Sequence, residues 1–218
     1  MAFDQTLAER TLVEILDGAR GGRPVGMGFG LFDDVIATAC HCLPRSKGRV
    51  ILPDPDDVGE VPVVVPVRQP ATGQITHGVV LCADPCSDLA LVKVQPAGPG
   101  PSSDSPSLIA EALPSVVVSS RPSVPCSVFI CNHERRWVRA LATATAISPL
   151  AKSDRVRSGT SGAPVFDEQG RVMGLVGSND LRLPDASLCL LADHLPAWAL
   201  RRATGRGVLA EVSATRTA

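Results

Sequence analysis

The sequence predicts an all-β protein built as two small β-barrels. Three observations carry that prediction. Short β-prone segments recur along the chain, each bounded by turn-forming residues. Gly and Pro number 19 each among 218 residues, which suits many strands joined by turns better than a helical bundle. A stretch rich in Pro, Ser and Gly at 95–107 separates two blocks of strands, as a linker would.

Residues 1–10 read as an N-terminal arm, either a short polar helix or a frayed segment. The segment 11–16 (TLVEIL) alternates and is β-prone, so it reads as the first strand. Gly18 to Pro24 form a turn, and the glycine-punctuated run 25–31 (VGMGFGL) reads as the second strand. Asp33-Asp34 is a tight turn before a third strand at 35–39, which gives an antiparallel meander. Further strands are expected at 61–67, 76–82 and 89–94, completing a first barrel over about 11–94. In the second block, over about 108–194, strands are expected at 127–131, 137–145, 163–166, 172–177 and 187–191. One helix is expected at 195–202 (LPAWALRR), followed by a tail at 203–218.

Composition excludes several functions. Basic and acidic residues number 21 and 22, a net charge of −1, so no direct partnership with nucleic acid is expected. Aromatic residues make up 3% and Tyr is absent, which leaves no stacking platform for single strands. Hydrophobic residues make up 44%, enough for a core, yet no apolar run is long enough to span a membrane, and no membrane partner is expected. The first residues carry neither a basic region nor an apolar stretch of secretory type, so a cytoplasmic location is expected. The seven cysteines, an odd number, show no C-x-x-C knuckle. They read as reduced thiols rather than a disulfide framework or a zinc site, and no metal or other cofactor is expected. Richness in Ala, Gly, Pro and Arg points to a bacterial source.

Three segments carry chemistry. The first is 38–43 (TACHCL), with His41. The second is 84–94 (DPCSDLALVKV), with Asp88, and the third is 158–166 (SGTSGAPVF), with Ser161. They come in the order His, Asp, Ser at intervals of 47 and 73 residues. Taken singly, each has an ordinary reading: a turn histidine, a capping aspartate, a loop serine. Together they place a base, a carboxylate and a hydroxyl on turns or at strand ends.

The chain resembles the chymotrypsin/trypsin-like serine peptidase superfamily in these segments. T-A-x-H-C resembles its histidine motif and G-x-S-G-x-P its nucleophile motif. D-P-x-x-D-L-A-L-x-K-V is most similar to the aspartate segment of bacterial HtrA/Deg-type peptidases, although no room is left for their PDZ domains. The resemblance extends from residue 11 to about residue 200. It implies two six-stranded antiparallel Greek-key barrels with a C-terminal helix, and a serine endopeptidase acting on a protein or peptide substrate. It further implies that His41 is the general base, Asp88 its orienting carboxylate and Ser161 the nucleophile, with the N–H groups of Gly159 and Ser161 as the oxyanion hole. The α/β-hydrolase alternative is excluded, because its aspartate follows its serine.

The resemblance also marks departures. Thr160 stands where secreted digestive relatives carry an aspartate that pairs with a newly released N-terminus. Activation by N-terminal trimming is therefore not expected, and the enzyme is either competent as made or switched by an activating protein partner. Cys42 lacks the earlier cysteine that relatives bridge to it, in keeping with a reducing compartment. The specificity pocket is expected from 154–157, 175–179 and 184–188, with Arg155, Val176, Gly177 and Asn179 as candidates. Arg155 at the pocket floor would favour acidic side chains; as a solvated loop residue it would select nothing. The compact domain resembles peptidase modules of longer bacterial defence or regulatory proteins. The non-enzymatic alternative is an inactive or switch-gated peptidase fold that serves as a binding module.

Overall fold

A computed structural model describes residues 3–18, 22–46, 49–50, 63–94, 114–119, 124–151, 156, 158–177 and 185–204. Helix α1 (Gln5–Arg10) starts at Asp4, whose side chain accepts the Leu7 N–H. It leads into β1 (Leu12–Leu16), β2 (Pro24–Phe32) and β3 (Val35–Ala39). A ribbon follows, β4 (Arg45–Ser46) with β5 (Arg49–Val50), which sequence alone did not signal. Then come β6 (Val64–Arg68), β7 (Ile75–Asp84) and β8 (Leu89–Val94). Strand order β1-β2-β3-β8-β7-β6 closes a six-stranded antiparallel barrel, with β6 pairing back onto β1.

The second barrel holds β9 (Cys126–Cys131), β10 (Trp137–Ala142), β11 (Ala146–Pro149), β12 (Pro164–Asp167), β13 (Val172–Val176) and β14 (Ala186–Leu190). It closes in the order β10-β11-β14-β13-β12-β9. The expected strand at 137–145 is shorter here, and β11 follows it as a strand that was not expected. Strand β10 stops at Ala142, and the chain reverses where Thr143 N donates to Ala146 O at 2.8 Å while Ala146 N returns to the Thr143 hydroxyl at 3.2 Å. A threonine hydroxyl builds this turn, so the run 142–146 (ATATA) carries no Gly, Pro or Asn to announce it.

Each barrel fills its own interior. Val13, Ile15, Phe29, Leu31, Ile36 and Leu91 are fully buried in the first. Val128, Ile130, Ile147, Val165, Met173 and Val176 are fully buried in the second. Leu12 and Met27 belong to first-barrel strands yet pack into the second core, so β1 and β2 form the seam between the barrels.

After β14 the chain makes a single turn, α2 (Leu191–His194), and then α3 at 197–204. The expected helix at 195–202 thus starts two residues later. Pro196 sits before its first turn, and its carbonyl accepts Ala199 N and Leu200 N at 2.9 and 3.0 Å. Helix α3 returns to the first barrel: the Trp198 ring meets Phe32 edge-on at 6.0 Å, and Ala199 and Ala203 are buried there. The expected linker at 95–107 and residues 205–218 of the tail lie outside the described residues. Among the described residues, no helix is long and apolar enough to cross a membrane.

Replacing fully buried Ile130 with Ala leaves a cavity in the second barrel. Chemical denaturation of Ile130→Ala should show a loss of about 2–5 kcal/mol against wild type.

Candidate active site

His41 lies in a one-turn 3-10 helix, Cys40–Cys42, directly after β3. Asp88 precedes β8, the strand paired with β3. Two backbone-anchored bonds tie them: Cys40 N donates to Asp88 O at 2.9 Å, and His41 N donates to Asp88 Oδ1 at 3.0 Å. The ring itself meets the carboxylate through Nδ1, 3.0 Å from Oδ1 and 2.8 Å from Oδ2. A carboxylate offers only lone pairs, so Nδ1 carries the proton and Nε2 is the basic nitrogen of the neutral ring. Asp88 reaches this position with φ +58, a left-handed conformation that Asp adopts more readily than most residues. The preceding loop is held by Asp84, whose carboxylate accepts Cys86 N at 2.9 Å and the Ser87 hydroxyl at 2.6 Å. Those bonds, the hydroxyl's first, keep the Asp84 carboxyl below its ordinary pKa.

The hydrogen bond to Asp88 raises the His41 pKa above the ordinary 6.5; a contact with Cys42 adds to this and burial opposes it. Burial, then the nearby Asp88 charge, pushes the Cys40 thiol up to about 11 and the Cys189 thiol up to about 12. Both are therefore protonated at neutral pH and make poor nucleophiles.

Ser161 comes from the second barrel, in the loop before β12, and is 8% exposed. Its carbonyl accepts Met27 N of β2 at 2.7 Å, and the Cys42 sulfur lies 3.8 Å from the same oxygen. The residue after His41 thus touches the residue predicted as nucleophile. Gly162 has φ +83, and a side chain there would strike Met27 O, so only glycine fits between the barrels. Gly162 N donates to Val176 O at 2.6 Å, and Ala163 N to Thr160 O at 3.0 Å, which folds the loop tightly. Gly159 has φ +89, and a Cβ added there would lie 3.4 Å from His133 Cβ. Neither Gly159 N–H nor Ser161 N–H has an intramolecular partner among the described residues.

The expected pocket residues are placed differently from one another. A Cβ on Gly177 would strike the Ser187 hydroxyl at 2.5 Å and lie 3.5 Å from Asp88 Oδ2. Gly177 and His41 line one cleft of about 460 Å³, with Ser187, Leu188 and His194. Val176 is fully buried in the second core, so its side chain fills the barrel rather than a pocket. Arg155 and Asn179 lie outside the described residues. Sequence reasoning missed Met27, which bonds the serine loop across the barrel seam, and His133, which lines a cleft with Ser158 and Gly159. No local motif marks them; only their neighbours in the folded chain do.

Two closed six-stranded antiparallel barrels, with a histidine–carboxylate pair on one and an apposed serine loop on the other, define the double-barrel serine peptidase class. The chain belongs to the trypsin-like peptidase domain family, whose model matches residues 26–175, and is accordingly a serine endopeptidase. Solved structures agree on the fold. A serine endoprotease from Yersinia pestis superposes with a TM-score of 0.58 at 16% identity, over 92% of this chain and 68% of that one. The active form of a protease from M. tuberculosis gives 0.57 at 19% identity, over 90% and 82%. The serine protease of a human pathogenic astrovirus gives 0.51 at 21% identity, over 86% and 94%. No curated protein matches the chain.

The His41–Asp88 geometry has a direct readout. An NMR titration of the His41 ring should have its midpoint above 6.5, since Asp88 stabilises the imidazolium. Asp88→Asn, which keeps the shape and removes the charge, should move that midpoint down.

Proposed function

We propose that the chain hydrolyses peptide bonds of a protein substrate through His41, Asp88 and Ser161. The observation that carries this reading is the His41 Nδ1–Asp88 contact at 2.8 Å, which leaves Nε2 as the base. Nε2 takes the Ser161 hydroxyl proton as Oγ bonds to the substrate carbonyl carbon. The carbonyl oxygen becomes an oxyanion, and the N–H groups of Gly159 and Ser161 receive it; one such donor is worth about 3–4 kcal/mol of barrier. The imidazolium, held against Asp88, then gives its proton to the leaving amine as the carbon–nitrogen bond breaks. Water repeats the cycle on the acyl-enzyme: Nε2 takes its proton, and the Ser161 oxygen leaves with that proton restored.

Two features support the roles of neighbouring residues. Gly177 lines one cleft with His41 and Asp88, which suits entry of a substrate segment. The seven cysteines, none of them in a disulfide, support action in a reducing compartment such as the cytoplasm. A protein partner or further domains of a longer chain would set when the enzyme acts.

A fluorophosphonate probe followed by intact mass tests the assignment. Wild type should gain a single adduct and Ser161→Ala none. Turnover of a peptide by Asp88→Asn should fall on the order of 10⁴-fold, as when a triad loses the charge that sets the histidine tautomer. An adduct on Ser161→Ala would place the nucleophile elsewhere.

A further inference from the structure

The N-terminal arm reaches from one barrel to the other. Its C-terminal end is fixed to the first barrel: Gly30 N of β2 donates to Thr11 O at 2.9 Å, and the Thr11 hydroxyl donates to Ala8 O of α1 at 2.7 Å. Its other end lies on the second barrel. The Phe3 ring stacks on Phe129 of β9 at 4.5 Å. It meets Trp137 of β10 edge-on at 4.9 Å and Phe166 of β12 at 5.4 Å. Trp137 also donates from Nε1 to Glu9 Oε1 at 2.9 Å.

Aromatic residues are scarce in this chain, with five Phe and two Trp among 218 residues. Four of the seven meet in this one socket. Stacked and edge-on ring pairs contribute beyond the area they bury. The socket sits over the seam. Phe3, Phe129 and Trp137 pack against the cluster that holds Val13, Ile15 and Phe29 of the first barrel together with Phe166, Val172 and Leu175 of the second.

Away from these anchors the arm is open. Leu7 is 52% exposed. Leu7 and Ala8 line a cleft of about 420 Å³ with Val116 and Val117. Helix α1 has six residues, too few to persist without tertiary contacts. Its seat on the second barrel therefore depends on Phe3 and Glu9.

We infer that the arm is a strap that holds the two barrels in register, and that the rate of reaction at Ser161 follows the seating of Phe3 and Glu9 in this socket. This rests on the peptidase reading above. His41 and Asp88 stand on the first barrel and Ser161 on the second. A shift between the barrels thus changes the alignment of His41 with Ser161 and leaves the His41–Asp88 pair intact. The Met27 junction fastens the seam at the serine loop, and the strap fastens it at β9 and β10. Phe3 and Glu9 are positioning residues, acting through the barrels they join.

The test is the rate of fluorophosphonate labelling in the full chain, with the Trp137 indole N–H and the His41 ring followed by NMR. Phe3→Ala should label about 10-fold more slowly, part of the ~10²-fold that a displacement of about 1 Å costs. Phe3→Tyr, which keeps the ring, should label within about twofold of wild type. Phe3→Ala combined with Glu9→Ala should label no faster than Phe3→Ala and should move the Trp137 signal. The His41 midpoint should keep its wild-type value in all three variants, because both members of that pair lie in one barrel; general loosening of the fold would move it. Wild-type labelling by the double variant, an unmoved Trp137 signal, slow labelling by Phe3→Tyr or a shifted His41 midpoint overturns the strap and leaves the peptidase reading standing. Absence of labelling in wild type overturns the peptidase reading and the strap with it.

Discussion

The site depends on a single backbone junction between the barrels. Met27 N donates to Ser161 O at 2.7 Å, while Met27 O accepts the Thr38 hydroxyl at 2.6 Å. Gly162 lies so close to Met27 O that any side chain would collide with it. His41 and Asp88 belong to the first barrel and Ser161 to the second, so this one peptide sets how the two halves meet. A hydrogen bond of this kind contributes only about 0.5–1.5 kcal/mol net. Its importance is geometric: a displacement of about 1 Å at reacting atoms costs about 10²-fold in rate. Leu12 and Met27, buried in the opposite core, add the packing that keeps the seam in register.

Within the first barrel, Asp88 shows how local strain is tolerated for position. A non-glycine residue in the left-handed region costs about 1–3 kcal/mol. Here the carbonyl of Asp88 receives Cys40 N, and its carboxylate receives both the backbone and the ring of His41. The conformation that costs energy is the one that lets a single residue make all three contacts. Asp84, four residues earlier, keeps the loop from relaxing by bonding to Cys86 and Ser87.

These features explain what could be read from the sequence and what could not. All six strands of the first barrel were legible, because Gly, Pro or paired Asp stands at one end or the other of each apolar run. Strand β11 was not, since a threonine hydroxyl makes its turn. The pairing of His41 with Asp88 was legible only through resemblance, for nothing local brings residues 47 apart together. Gly162 was legible as a glycine of the nucleophile motif, but not that Met27 is what it passes. Val176 looked like a pocket wall because its stretch is adjacent to Gly177; strand alternation turns its side chain into the core instead.

Thr160 shows how this loop differs from one fixed by charge. An aspartate at this position would need a buried cation, and the two together would bear a desolvation penalty of several kcal/mol per ion. Thr160 is fully buried and its hydroxyl is unpaired, a cost of about 1–3 kcal/mol. The smaller penalty comes with a different dependence. A loop fixed by an ion pair would loosen wherever either partner changes charge, at an N-terminal amine or at a carboxylate. This loop is fixed by the Met27 junction and by the Gly162 and Ala163 backbone bonds, none of which can titrate. Its conformation therefore follows the packing of the two barrels.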